Sequence, residues 1–312
     1  MKTKSRWTAA DIPPQDGRLI VVTGTGGLAY EAALSLAKAG AGVVLAGRNR
    51  IKGEASAQMI RDVIPDAIIR VEELDLADLA SVEAFGGRMC DKNQAIDTLI
   101  NNAAVMMVPR RQVTKDGFEM QFGTNHLGHF ALTAHLMPLL RRGHGARVVT
   151  VCALAADSAE IDFNDPQCER RYRPMAAYGQ SKLANLMFSL GLHRRSRAGR
   201  WGIESIAAHP GLSRTDLSGT RGENRDGGEN KMPLPLRLLA PFLLQPADQG
   251  ALPVLFAATA PYAESGSYYG PDGRGERKGF PMPAKIPSAA QNEALVDRLW
   301  ATSEQLTHVC FQ

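Results

Sequence analysis

Nothing in the sequence approaches the run of about 18 uninterrupted apolar residues that a membrane-spanning helix requires. The basic N-terminus, MKTKSRWTAADIPPQ, is not followed by the apolar stretch of a secretory leader. The expectation is a soluble, cytoplasmic protein with no transmembrane segment. Cysteine is scarce: Cys90, Cys152, Cys168 and Cys310 lie far apart without C-x-x-C spacing, which argues against a disulfide scaffold and for reduced thiols. An excess of one charge is lacking too, because 36 Lys and Arg against 32 Asp and Glu leave only +4. Arginine pairs such as Arg110-Arg111 and Arg194-Arg195 have no aromatic stripe beside them, so no nucleic-acid partner is expected. His126, His129 and His135 share one expected helix without a carboxylate partner, so no metal site is expected either. A G-x-S-x-G elbow and a Walker lysine are both missing, which excludes the common hydrolase and ATPase readings.

What is present is alternation. Short aliphatic runs at residues 19–23, 43–46, 68–72, 98–101, 148–152 and 203–208 predict strands. Segments of helical period at 29–39, 50–63, 79–91, 118–140 and 177–197 predict helices between them. This order builds an α/β fold, a single doubly wound parallel sheet of Rossmann-like type spanning residues 1–312. Residues 218–231, SGTRGENRDGGENK, are too polar to order themselves, and an apolar stretch follows at 233–244. Together, residues 218–244 predict a mobile loop carrying an apolar flap. Its leucines could line an apolar pocket, seal a homodimer or touch a membrane.

The first strand runs into Thr23-Gly24-Thr25-Gly26-Gly27-Leu28-Ala29 and then a helix. Glycine lets the backbone approach a pyrophosphate, and the helix start offers free N–H groups, so this context predicts a dinucleotide cradle. Where an acidic residue after the second strand would hold the ribose of NAD, the sequence has Gly47-Arg48-Asn49. An arginine there favours the 2′-phosphate of NADP(H) over NAD(H). Tyr178-Gly179-Gln180-Ser181-Lys182 stacks a phenol and an ammonium one helical turn apart, where the cation favours the phenolate and lowers its pKa, making a general acid or base.

These elements occur in order with Asp75-Leu76, Asn101-Asn102-Ala103-Ala104, Asn125-His126-Leu127-Gly128-His129-Phe130 and Pro210-Gly211 followed by Thr215. The chain resembles the short-chain dehydrogenase/reductase family from about residue 17 to residue 271. Its NHLGHF, SKLAN and YYGPDG stretches look most like the retinol-dehydrogenase-like branch. The resemblance implies an oxidoreductase in which Tyr178 moves the proton, Lys182 holds the nicotinamide ribose and tunes Tyr178, and Asn125 supports a water linked to the lysine. It also implies cofactor contacts at Gly24, Thr25, Gly27, Leu28, Arg48, Asp75, Leu76, Asn102, Ala103, Ala104, Pro210, Gly211 and Thr215. Cofactor is expected along the C-terminal strand edge, with substrate between Tyr178 and the 215–244 segment.

Two departures from the family stand out. Its T-G-x-x-x-G-x-G is one residue shorter here and ends on Ala29, which predicts altered or weakened cofactor binding. Its strand-end N-V-S-S is Thr150-Val151-Cys152-Ala153, so Ala153, next to Leu154 at the expected substrate site, replaces the catalytic serine. Loss of such a donor costs about 10²- to 10³-fold in rate. By strand alternation Cys152 should point to the opposite side from Ala153. Three functions follow: an NADP(H)-dependent reductase of apolar carbonyl compounds, a reductase of conjugated C=C bonds, or a ligand- or partner-binding protein with little redox turnover.

Overall fold

A computed structural model of the protein describes residues 6–213 and 244–311. Its centre is an eight-stranded sheet in the order β3-β2-β1-β4-β5-β6-β7-β8. The strands are β1 (Leu19–Thr23), β2 (Gly42–Gly47), β3 (Ile69–Glu73), β4 (Thr98–Asn101), β5 (Arg147–Val151), β6 (Glu204–Ala208), β7 (Tyr268–Pro271) and β8 (Pro281–Pro283). The first seven are parallel and β8 joins β7 antiparallel. Strand order reverses between β1 and β4, which is the switch point where a crevice opens in such sheets.

The helices cover both faces. We label them α1 (Leu28–Lys38), α2 (Arg50–Val63), α3 (Leu79–Asp91), α4 (Gly128–Leu140), α5 (Pro174–Gly199), α6 (Ala247–Thr259) and α7 (Glu293–Thr307). Alternation along β1 shows how the layers form: Ile20 and Val22 face the α1 and α6 side, while Leu19 and Val21 face α3 and α4. All four are at most 4% exposed, so the strand has no polar face and must be central.

All five expected helices and all six expected strands are present, β1, β4, α2 and α3 with the expected ends and the others with shifted ones. The segment expected as one helix over 118–140 begins at Met120 and passes through a π turn, Gly123–Leu127, before α4. Helix α5 begins at Pro174, a residue suited to the first helical position because its fixed φ fits and its missing N–H costs nothing there. Strands β7 and β8 and helices α6 and α7 escaped the sequence reading. Helix α6 is buried along most of its length and shows little amphipathic period, and β7 is only four residues long. Among the described residues, no helix is long and apolar enough to cross a membrane. Thr215 and the apolar residues of the expected flap up to Leu243 lie outside the described residues.

Candidate active site

The expected site residues lie in segments that leave the C-terminal ends of successive parallel strands. Gly24 follows β1, Arg48 follows β2, Asp75 and Leu76 follow β3, Asn102, Ala103 and Ala104 follow β4, Ala153 and Leu154 follow β5, and Pro210 and Gly211 follow β6. In the cradle, Gly24 has φ +99°, and a Cβ there would lie 3.1 Å from the Asn102 amide and 3.3 Å from the Ala29 methyl. Only glycine combines that backbone angle with that space. The shortened turn still closes onto α1, with Ala29 N donating to Gly26 O at 3.1 Å and Glu31 N to Gly27 O at 3.1 Å. The N–H groups of Thr25, Gly26, Gly27 and Leu28 have no acceptor among the described residues. They form a donor set at the positive end of a helix, which fits the pyrophosphate of a dinucleotide. Arg48 is exposed beside this turn and makes no ion pair among the described residues.

Thr23 ties the cradle to the rest of the site. Its hydroxyl accepts from Asn102 N at 2.8 Å and Ala103 N at 2.9 Å, and lies 2.8 Å from His129 Nε2. His129 Nδ1 lies 2.9 Å from the carbonyl of Asn125, an acceptor only, so Nδ1 carries the proton and Nε2 accepts from Thr23. Burial holds this imidazole neutral, its pKa pushed down to about 4. Asn125, in the π turn, then grips the Val105 backbone twice, at 2.8 and 2.9 Å, and donates to Ser181 Oγ at 2.9 Å. Ser181 Oγ in turn donates to the Tyr178 carbonyl at 2.7 Å. A continuous buried chain therefore links the cradle to α5 through His129. Considered as a metal ligand, His129 had no partner; as a tether between two strand ends it could be found only once the fold brought Thr23 beside it.

Within Tyr178-Gly179-Gln180-Ser181-Lys182 every side chain has a separate duty. Gly179 admits the Ala155 carbonyl, which a Cβ would approach to 2.9 Å. Gln180 holds the long β5–α5 connection through Asp162 N and Pro166 O, both at 3.0 Å. Lys182 is 2% exposed and donates to Val151 O at 2.9 Å, with its Nζ 5.9 Å from the Tyr178 ring centroid. Burial lowers its pKa to about 8. Tyr178 is 6% exposed and its hydroxyl makes no hydrogen bond to a described residue. The expected lowering of its pKa by Lys182 is not what the protein alone produces. Burial, followed by the nearby Cys152, pushes the phenol above its ordinary value, because desolvation of a phenolate here outweighs the ammonium. The phenol thus stands protonated, ready to give a proton.

At the end of β5, Ala153 is partly exposed and Cys152 is buried in the apolar layer under α5 with Leu183, Ala184 and Tyr268. The Cys152 thiol turns back to the Thr150 carbonyl at 3.7 Å and burial raises its pKa to about 12, so it is an inert thiol. After β6, Pro210 O accepts from Gln245 Nε2 at 2.7 Å, and Leu212 O accepts from Gln245 N at 2.8 Å. Gln245 is therefore pinned to the Pro210–Leu212 turn after β6.

A parallel sheet with a glycine cradle at its switch point, and a tyrosine and lysine one turn apart on the adjoining helix, defines a nicotinamide-dependent oxidoreductase. The sequence model of short chain dehydrogenase matches residues 18–226. Retinol dehydrogenase 12 of Mus musculus is 37% identical over 295 residues, covering 93% of this chain and 86% of the relative. Polyprenol dehydrogenase of Homo sapiens is 34% identical over 308 residues, covering 95% and 87%. A crystal structure of a protein from Mycobacterium paratuberculosis superimposes with TM-score 0.80 at 38% identity, covering 99% of this chain and all of the other. The protein belongs to the short-chain dehydrogenase/reductase family, in its retinol-dehydrogenase-like branch.

Proposed function

We propose that the protein interconverts an apolar aldehyde or ketone and its alcohol, with NADP(H) preferred over NAD(H). The observation that carries this reading is the Tyr178 hydroxyl, protonated and free of hydrogen bonds to described residues, one helical turn from the buried Lys182. The dinucleotide supplies the hydride when bound. Tyr178 gives its proton to the substrate oxygen as that oxygen gains charge, and Lys182, fixed by the Val151 carbonyl, keeps a positive charge beside the phenolate left behind. Thr25, Gly26, Gly27 and Leu28 hold the pyrophosphate through their N–H groups, and Arg48 meets the 2′-phosphate. An apolar substrate is supported by two relatives whose names refer to retinol and polyprenol.

Calorimetric titration with NADPH and NADH, followed by assays with all-trans-retinal and decanal, tests the reading. Tight NADPH binding, weaker NADH binding and formation of the alcohols are expected. Failure to bind either dinucleotide overturns it in favour of a ligand- or partner-binding role. The absent hydroxyl at Ala153 favours a second reading, reduction of a conjugated C=C bond, which needs less polarisation of a carbonyl. Saturated ketone from an enone, in place of the allylic alcohol, would identify it.

A further inference from the structure

Pro210-Gly211, the turn after β6 that the family resemblance sets at the cofactor, is gripped by a segment outside the family's motifs. Between β7 and β8 lies a short 3-10 helical turn, Arg274–Glu276, in which Glu276 stands at φ +54° and Gly275 at φ +63°. A glutamate in the left-handed region is uncommon, and such outliers persist where the surrounding structure over-determines them. The Glu276 side chain joins two segments. Its Oε1 accepts from Lys285 N, beyond β8, at 3.0 Å, and its Oε2 lies 3.0 Å from Nε2 of His209. His209 follows β6 and is fully buried, and its other ring nitrogen, Nδ1, accepts from Gly211 N at 3.2 Å.

A neutral imidazole that accepts at Nδ1 carries its proton at Nε2, and that proton needs an acceptor. The Glu276 carboxylate supplies it, and so selects the tautomer in which His209 can hold the Gly211 N–H. Burial keeps the ring below the ordinary imidazole pKa, against the pull of Glu276, so the neutral form makes both bonds. The opposite tautomer would set an Nδ1–H against the Gly211 N–H, donor against donor. The backbone around this contact is closed without it. Asp272 N donates to Phe280 O and Gly273 N to Lys278 O, both at 2.8 Å, while Leu212 N donates to Arg277 O at 2.8 Å and Gly279 N to Gln245 Oε1 at 3.1 Å. The carboxylate therefore shapes the Gly211 turn more than it holds the hairpin together.

We propose that Glu276 is a positioning residue for hydride transfer: by fixing the tautomer of His209 it sets the Gly211 turn that receives the nicotinamide end of the cofactor. The proposal rests on the carbonyl-reductase reading above. Glu276 acts through the imidazole and one backbone N–H, without a contact of its own to the reacting atoms. The pyrophosphate cradle and Arg48 belong to the other end of the dinucleotide, so the effect falls on the alignment of the hydride donor and spares affinity.

Glu276→Ala frees the imidazole proton to move to Nδ1. With NADPH and all-trans-retinal, kcat is expected to fall on the order of tenfold to 10²-fold, the effect of a reacting carbon displaced by up to about 1 Å. The Kd for NADPH and the Tm should stay close to those of the parent. Glu276→Gln keeps an oxygen acceptor for the Nε2 proton and should retain kcat near the parent value. 15N NMR of the ligand-free protein should find the His209 proton on Nε2 in the parent and in Glu276→Gln, and at least partly on Nδ1 in Glu276→Ala. A purely structural role predicts instead a lower Tm in Glu276→Ala with kcat and tautomer retained. An active parent with unchanged kcat in Glu276→Ala, equal losses in the two variants, or a parent His209 protonated on Nδ1 overturns the proposal alone. A parent that forms no alcohol from retinal or decanal with NADPH overturns the carbonyl-reductase reading, and the proposal with it.

Discussion

Two hydroxyls on opposite sides of the crevice, those of Thr23 and Tyr178, are held in opposite ways. On the β1–β4 side, the Thr23 hydroxyl meets two backbone N–H groups and an imidazole within 2.9 Å. On the β5–β7 side, the Tyr178 hydroxyl meets no described partner. Around Thr23 the hydrogen bonds are completed within the protein, so this hydroxyl serves as part of the frame. Tyr178 holds a donor in reserve, and a donor that is already paired cannot strengthen its bond to an oxygen that gains charge only during the reaction. On the proposed function, the difference separates a residue that builds the site from one that acts in it.

The largest expected effect comes from removing a reserved donor. Tyr178→Phe should lower kcat on the order of 10³-fold while leaving NADPH affinity nearly intact, and near-normal turnover would remove Tyr178 from the role of acid. On the other side the effect should appear in stability. Thr23→Val leaves two N–H groups and the His129 nitrogen unpaired, at a cost of about 3 kcal/mol in urea unfolding. A loss below about 0.5 kcal/mol would erase the contrast between the two sides.

Arg48→Ala sharpens the account of the frame's outer edge. It should weaken NADPH by about tenfold, the equivalent of roughly 1.4 kcal/mol, and leave NADH unaffected. Equal effects on the two cofactors would make Arg48 an ordinary surface cation.

The most gradual effect is that of pH on the buried histidines. Burial lowers His126 to about 3 and His129 to about 4, against 6.5 for the unperturbed imidazole. Between these values the unfolded chain binds protons that the folded one refuses. Stability is therefore fully present above about pH 6.5 and declines as pH falls toward 4, by up to about 1.4 kcal/mol per unit for each histidine. A Tm that stays flat from pH 6.5 to 4.5 would contradict the neutral tether through His129.

The legible part of this protein was the part written locally. Strand runs, the Gly24 to Ala29 turn and the spacing of Tyr178 and Lys182 each depend on residues within one or two turns of each other, so period and spacing reveal them. Helix α6 and strand β7 were missed because α6 is buried on most sides and β7 is only four residues long, leaving little period to detect. The start of α5 was marked by Pro174, three residues before the point where the helical pattern was read.

By itself, the sequence determined the doubly wound order, the glycine turn after β1, the spacing of Tyr178 and Lys182 and the alanine at position 153, since these are fixed by residue identity at short range. Tertiary structure alone decided that His129 joins Thr23 to Asn125, that burial sets the protonation of Tyr178 against the pull of Lys182, and that Tyr268 shares an apolar layer with Cys152. Each of these depends on groups distant in sequence being brought together away from water. There, desolvation and the completion of hydrogen bonds, which no local pattern encodes, set the charge and the freedom of every polar atom.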